Sequence, residues 1–323
     1  MSINLGSDGD LGKEAQAFDQ RLIERTNNNF IPDITEATDN DFFYKSFWRR
    51  KEYVDLYFGH LASNYIDVFI RELKPGSTIL DFGCGPGYFC LELARAGFNV
   101  IGCDIASHVI NTASTYACSL DDKAISERIF YTSNIEDLKD HSIDAVLCSG
   151  VLHHLKDLNK TLSGFHSLFK SKEDAVLLFH EPFHRSWSKS DAFIVATIRY
   201  ILSQSGNWYE DLEFLTQKDF GIYVDSVFEE YVMERDPSEK EGQSPNDLSC
   251  DFESITAITS AHFNFLDTWP SRAFIYRCMG GVRSNPSQES RIARALEIID
   301  SFGVASNSLK PNYMYGLAKG LKN

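Results

Sequence analysis

Five short apolar runs, at 78–82 (TILDF), 99–103 (NVIGC), 128–132 (RIFYT), 143–148 (IDAVLC) and 175–179 (AVLLF), alternate along the middle of the chain with segments whose apolar positions fall three and four residues apart. The runs predict buried strands, and the segments between them predict helices centred near 92, 112 and 161, with a weaker one near 124. Strand and helix in regular alternation imply an α/β protein with a doubly wound, mainly parallel sheet covered by helices on both faces, because right-handed crossovers leave few other arrangements. Binding and chemistry are then expected at the carboxyl ends of the strands.

The flanks read differently. Residues 1–40 are polar, with NNN at 27–29 and DITEATDND at 33–41, and predict a mobile arm. From 41 to 71 the composition turns aromatic and amphipathic, which predicts one or two helices before KPGS at 74–77 stops them. Tyr44 and Trp48, four residues apart, would share a helical face, and the segment reads either as core packing or as a lid over the site. Residues 185–255 interrupt the alternation where the fifth strand ends, and predict an insertion that caps the site with Trp187, Trp208 and Tyr209. AHFNFLDTW and RAFIYRCMG, joined around Pro270 and Ser271, predict a closing hairpin, and 287–302 a last helix. The chain thus divides into an arm and helical lid (1–65), a core (66–184), a capping insertion (185–255) and a closing hairpin with terminal helix (256–323).

At 323 residues and 43% hydrophobic content the chain can bury a full core. It has no run of about 18 apolar residues, and MSINLGSDGDLGKEAQ lacks the basic and apolar regions of a signal peptide, so a soluble cytoplasmic protein is expected. A net charge of −15 repels nucleic acid, and the one close basic cluster, Arg49-Arg50-Lys51, is too short to reverse that. A small-molecule or peptide substrate fits the charge better, and a small-molecule acceptor is the partner expected, with neither nucleic acid nor membrane. The seven cysteines form no CxxC pair and read as small core residues.

The first strand runs into Gly83, Gly85 and Gly87, with Asp81 two residues before the first glycine. A dinucleotide turn needs GxGxxG and a pyrophosphate at the helix N-terminus, whereas GxGxG with a carboxylate at its mouth suits a cofactor that is cationic at this end. That favours the amino group of S-adenosylmethionine over a pyrophosphate. Asp104, at the end of the second strand, can accept hydrogen bonds from both ribose hydroxyls; its other reading is the cap of the helix that follows.

Together, ILDFGCGPGYFCLELARAGFNVIGCDIA, NIEDLKDHSIDAVLCSGVLHHL and DAVLLFHEP resemble the core of the class I S-adenosylmethionine-dependent methyltransferases. The resemblance covers roughly residues 65–184 in register and extends to the expected hairpin at 260–280. It implies a seven-stranded Rossmann-like sheet and S-adenosylmethionine as cofactor. By position it implies that Asp81, Gly83 and Gly85 hold the methionine end, Asp104 the ribose and Ile105 the adenine. Asn134 and Ile135 would lie beside the adenine amino group, where the family commonly has an acidic residue, and Ser149 and Gly150 near the sulfonium.

HEPFH, at 180–184, matches the HExxH zinc motif in letters only. That motif needs one helix carrying both histidines, and here a strand runs into His180 and Pro182 sits inside the motif. No metal is expected. Methyl transfer is an in-line displacement that needs alignment and, for a hydroxyl or ammonium acceptor, removal of a proton. His153, His154, His180, His184 and Glu181 all follow strand ends; His180 and Glu181 are the preferred bases, with His154 behind them. The expected function is methyl transfer to an oxygen or nitrogen of a small molecule. Its rivals are a non-methylating enzyme of the same fold, such as a cyclase or decarboxylase, and a scaffold that keeps the pocket without turnover.

Overall fold

The structure, a computed structural model, describes residues 8–43, 46–232 and 251–322. Its strands are β1 (Thr78–Phe82), β2 (Asn99–Cys103), β3 (Ile129–Thr132), β4 (Ala145–Ser149), β5 (Val176–Pro182), β6 (Phe263–Pro270) and β7 (Tyr313–Leu321). They form one sheet in the order β3-β2-β1-β4-β5-β7-β6. The first five strands pair in parallel, and β7 runs antiparallel to both β5 and β6. Successive residues alternate faces, so Ile79, Leu147 and Leu178 join one buried cluster and Leu80, Val146 and Leu177 the other. Burial on both faces explains why β1, β2, β4 and β5 read as nearly unbroken apolar runs, while β3, at the edge, leaves Phe130 exposed. The order reverses between β1 and β4, which opens a crevice at their carboxyl ends.

The helices are α1 (Asp8–Asn27), α2 (Lys51–Val54), α3 (His60–Glu72), α4 (Tyr88–Arg95), α5 (Ser107–Ser119), α6 (Lys123–Ser126), α7 (Leu158–His166), α8 (Lys189–Gln204), α9 (Gln217–Val232), α10 (Phe252–His262), α11 (Ile275–Cys278) and α12 (Pro286–Ala305). A π turn over Asp55–Gly59 joins α2 to α3 without a break.

Three expectations are corrected. Residues 1–40 are not a mobile arm where the structure describes them: α1 docks on the core, and its Asp19 carboxylate accepts from the backbone N–H of His108 and Val109 at 3.0 and 3.1 Å, capping α5. Beyond α1, Phe30 and Ile34 are buried.

Among its described residues, the aromatic stretch after 41 is not α-helical until Lys51. Asn40 accepts from Phe42 N–H and Ser46 from Trp48 N–H, local bonds that favour turns, and Arg50 is extended at φ −135°, ψ 136°. Buried Arg49 pairs with Glu289 of α12 at 3.0 Å, which fixes this bend against the body of the protein. Trp48 therefore lies in a 3-10 turn (Phe47–Arg49), and Tyr44 lies outside the described residues.

The closing hairpin is also different. RAFIYRCMG forms α11 and a following 3-10 turn, because the buried Asp300 carboxylate accepts from the N–H of Ala273, Phe274 and Ile275, at 2.6 Å for Phe274. The antiparallel partner of β6 is β7, in the stretch that reads from sequence as a tail.

Candidate active site

A cavity of about 780 Å³ opens where the sheet order reverses. Gly83, Gly85, Asp104, Ile105, Ser149 and Gly150 line one end of it. The glycine turn is tied to the end of β2 by bonds from Gly83 and Cys84 N–H to the Cys103 carbonyl, at 2.8 and 3.1 Å. Gly83 and Gly85 have φ of +76° and +52°, a region in which glycine alone is unstrained. A Cβ on Gly85 would meet nothing within 4 Å, so its open side is the cavity.

Asp104 holds this end together. One carboxylate oxygen accepts from Gly85 N–H at 2.9 Å and the other from Ala106 N–H at 3.0 Å, while burial pushes its pKa up against those two bonds. The carboxylate thus ties the glycine turn to the residue before α5, and it also lines the cavity. Asp104→Ala is expected to weaken cofactor binding by roughly tenfold to a hundredfold, the loss of hydrogen bonds to a charged acceptor. Calorimetric titration checks it, and unchanged affinity would reduce Asp104 to a turn brace.

Asp81 does not line the cavity. It is 1% exposed behind the glycine turn, where Cys90 Sγ donates to it at 3.2 Å. Burial, with Asp104 nearby, pushes its pKa up to about 7. A carboxyl raised in this way binds a proton in the folded state that the unfolded chain has released, so stability falls as pH rises from about 4 to about 7. His180 works in the opposite direction, since burial and nearby His60 push it down to about 3. Its contribution grows as pH rises from about 3 to about 6.5. Asp81→Asn is accordingly expected to melt with wild type at about pH 3.5, below the unfolded carboxyl's pKa, and above it at about pH 8, by roughly 2–4 °C for each kcal/mol regained. Equal melting at both values would show that Asp81 is not held as a neutral acid.

His180 lines the cavity with Nε2 2.9 Å from Ser271 Oγ and its ring stacked on Tyr313 at 5.1 Å. Its neighbour Glu181 does not, and this corrects the pairing of the two as candidate bases. Adjacent strand residues point to opposite faces. Glu181, 0% exposed, instead accepts from Val151 and Leu152 N–H, both at 2.9 Å, and lies 2.6 Å from His153 Nδ1. It holds the loop after β4 and one histidine on it. His153 and His154 both line the cavity with ring centroids 4.0 Å apart, and His154 Nδ1 lies 3.3 Å from Glu14 of α1. His153, named in the LHHL pair but not among the preferred bases, has the shorter carboxylate contact of the two, to Glu181 at 2.6 Å.

Of the other expected residues, Trp48 lines the cavity among Phe30, Phe58 and Tyr88. Asn134 and Ile135 do not reach it. Asn134 is exposed, accepts from Glu136 N–H at 3.1 Å to cap a 3-10 turn, and donates to Asp137 at 2.8 Å. In the insertion, Trp208 and Tyr209 line the cavity while Trp187 packs flat on Tyr231 at 3.9 Å. HEPFH is strand through Pro182 and a 3-10 turn from His184, so no helix carries its two histidines. Among the described residues, no group of three or more His, Cys, Asp or Glu side chains could hold a metal.

The profile of one protein family, described as a methyltransferase domain, matches residues 53–227, more than half of the chain. The chain belongs to the methyltransferase family. A ubiquinone biosynthesis O-methyltransferase of Bartonella quintana is 31% identical to it over 124 residues, 38% of this chain and 48% of that protein. A 2-phytyl-1,4-naphtoquinone methyltransferase of Nostoc is 34% identical over 116 residues, 34% of this chain and 49% of that protein. The chain thus spans about half the length of the relatives it matches. Among solved structures, magnesium protoporphyrin IX methyltransferase from Synechocystis covers 81% of this methyltransferase and 94% of its own chain, at 16% identity and a TM-score of 0.45. The sheet order and the matched family bear out the class I fold implied by the resemblance. No helix among the described residues is long and apolar enough to cross a membrane.

Proposed function

We propose that this methyltransferase moves a methyl group from S-adenosylmethionine to an oxygen or nitrogen of a small molecule, with His153 as the proton acceptor. The observation that carries the reading is one continuous cavity that joins the glycine turn and Asp104 to His153, His154 and His180. The residues fit the cofactor. Asp104 presents a carboxylate at the cavity wall for the ribose, and Asp81 stands behind the turn as a buried acid that a nearby ammonium would stabilise in its charged form.

The bound cofactor supplies an activated methyl on a sulfonium. The chain supplies position and a place for the proton. With Nδ1 of His153 on Glu181, Nε2 is the nitrogen through which the ring can take a proton from the acceptor, and the carboxylate behind it steadies the resulting imidazolium. His180 suits this task less, because a site that pushes its pKa down to about 3 opposes the charge a base must accept. It serves as a neutral wall beside the transferring group.

Incubation with isotopically labelled methyl donor and pools of small-molecule acceptors tests the proposal. Label should appear in one acceptor class, with S-adenosylhomocysteine formed in equal amount. Tight cofactor binding without label in any pool would favour the scaffold reading, and a decarboxylated or cyclised product without methyl transfer would favour the other.

A further inference from the structure

We infer that the acceptor is a compact, ring-bearing acid whose anionic group is read by Arg277 at the far end of the cavity, where α8, α9 and α11 line it. The inference rests on the methyl-transfer reading only for what occupies the other end.

Charge is the first observation. The chain as a whole carries 31 basic against 46 acidic residues. The cavity wall reverses that balance: among the described residues that line it, four are arginines (21, 25, 199 and 277) and three are carboxylates (Glu14, Asp104 and Glu230). Asp104 belongs to the cofactor end. Glu14, Arg21 and Arg25 stand on α1; beside Arg277 itself two guanidinium groups, Arg199 and Arg277, face one carboxylate, Glu230, and that excess favours an anion in a protein whose surface repels one.

The far end is built, and it is built around guanidinium groups. Arg199, from the middle of α8, is 5% exposed and grips Glu230 of α9 with two bonds of 2.7 and 2.9 Å. The same guanidinium donates to the Arg277 carbonyl at 2.9 Å, so it fixes both the carboxylate and the backbone that carries the second arginine. Arg277 lies 5.2 Å from the ring centre of Tyr231 and 5.1 Å from that of Tyr276, with Nη1 3.6 Å from Glu230. One carboxylate is thereby shared by two guanidinium groups. Burying such a pair is costly, and geometric specificity is a use that offsets the cost. The wall is also rich in donors: Arg199 Nε and Trp208 Nε1 are buried without a hydrogen-bond partner.

Shape narrows the class. Arg199, Trp208, Tyr209, Glu230, Tyr276 and Arg277 close this end, and none is aliphatic. Flat rings and a fork of donors suit an aromatic body with a carboxylate, whereas a long isoprenoid chain would have to lie against a buried ion pair. The cavity of about 780 Å³ must hold cofactor and acceptor together, although single-ligand pockets alone span roughly 300–1,000 Å³. The acceptor is therefore small.

The test titrates 4-hydroxybenzoate, 4-hydroxycinnamate and 3-hydroxy-2-naphthoate, each beside its methyl ester, into protein saturated with S-adenosylhomocysteine. At least one acid should bind tenfold or more tighter than its ester, the size of a charge-assisted hydrogen bond of about 1.5 kcal/mol or more. Arg277→Gln should erase the difference without changing affinity for S-adenosylhomocysteine. Esters that bind as well as the acids, or a preference that survives Arg277→Gln, overturn the inference. If that variant does not fold, the comparison in wild type decides alone. Methyl transfer measured in parallel separates the two readings. An acid that binds preferentially but never accepts methyl counts against turnover and leaves the recognition standing. A phytylated quinol methylated faster than every acid overturns the recognition and leaves the turnover standing.

Discussion

His153→Ala is expected to lower turnover by about 10² to 10⁴-fold, the usual contribution of a positioned general base, while cofactor affinity stays within about twofold of wild type. The ring lines the cavity, and its Nδ1 is 2.6 Å from a carboxylate that is itself fully buried and bonded to two backbone N–H groups of the same loop. Glu181 is thus a positioning residue, and its substitution should have a different signature. In Glu181→Gln the amide oxygen can still accept from Val151 and Leu152, but the side chain no longer favours an Nδ1–H ring or the charge that forms on it. Turnover should fall with the loop still folded, and added imidazole should restore part of the rate in His153→Ala but not in Glu181→Gln. If His153→Ala turns over normally, the base role passes to His154, which has Glu14 of α1 at 3.3 Å, and the same measurements on that pair decide.

The two candidate bases preferred from sequence show what a strand hides. His180 and Glu181 are adjacent in HEPFH, and adjacency suggests a joint role, but alternation along β5 sends one side chain into the cavity and the other under the loop after β4. The strand itself was legible as far as Phe179. Its period-2 consequence for the next two residues was available as well, and it points to a carboxylate that acts through a neighbour.

Elsewhere the signals were unequal. The parallel strands β1, β2, β4 and β5 read plainly because burial on both faces demands nearly unbroken apolar runs, whereas β7 carries Gly316, Lys319 and Gly320 and reads as a tail. The reason for Gly316 is tertiary: a Cβ there would lie 2.0 Å from Phe179 Cζ across the β5–β7 pair. No local pattern announces a glycine required by another strand's phenylalanine. The first helix could have been found, since Leu11, Ala15, Phe18 and Leu22 keep helical spacing inside a polar stretch. The far end of the cavity carried a signal too. Arg199 interrupts an apolar helical run, AFIVATIRYIL, and a cation so placed needs a buried partner. That its partner is Glu230, and that both serve the wall of a cavity, follows only once α8 and α9 pack side by side.

Gly83→Ala should be the most damaging single methyl group in the site, because two independent costs meet there. The residue sits at φ +76°, and a non-glycine residue in that region carries about 1–3 kcal/mol of strain. The added Cβ would also lie 2.5 Å from Val151 Cγ2 and 2.8 Å from Val151 Cβ. Val151 cannot yield cheaply, since its N–H is bonded to Glu181 at 2.9 Å and the loop it begins carries His153. Overpacking of this kind costs about a further 1–3 kcal/mol, and here it pushes the cofactor turn and the base loop apart. Gly85→Ala provides the control, with φ +52° and no atom within 4 Å of its Cβ, so it bears backbone strain without the collision. In Gly83→Ala, cofactor affinity should fall by more than about a hundredfold and turnover should fall further than binding explains, because the loop with His153 moves as well. Gly85→Ala should lose affinity with turnover at saturating cofactor largely kept. Chemical denaturation, calorimetry and single-turnover rates on the pair separate the two costs. If the variants behave alike on all three, contact between the glycine turn and Val151 does not hold the base loop in place.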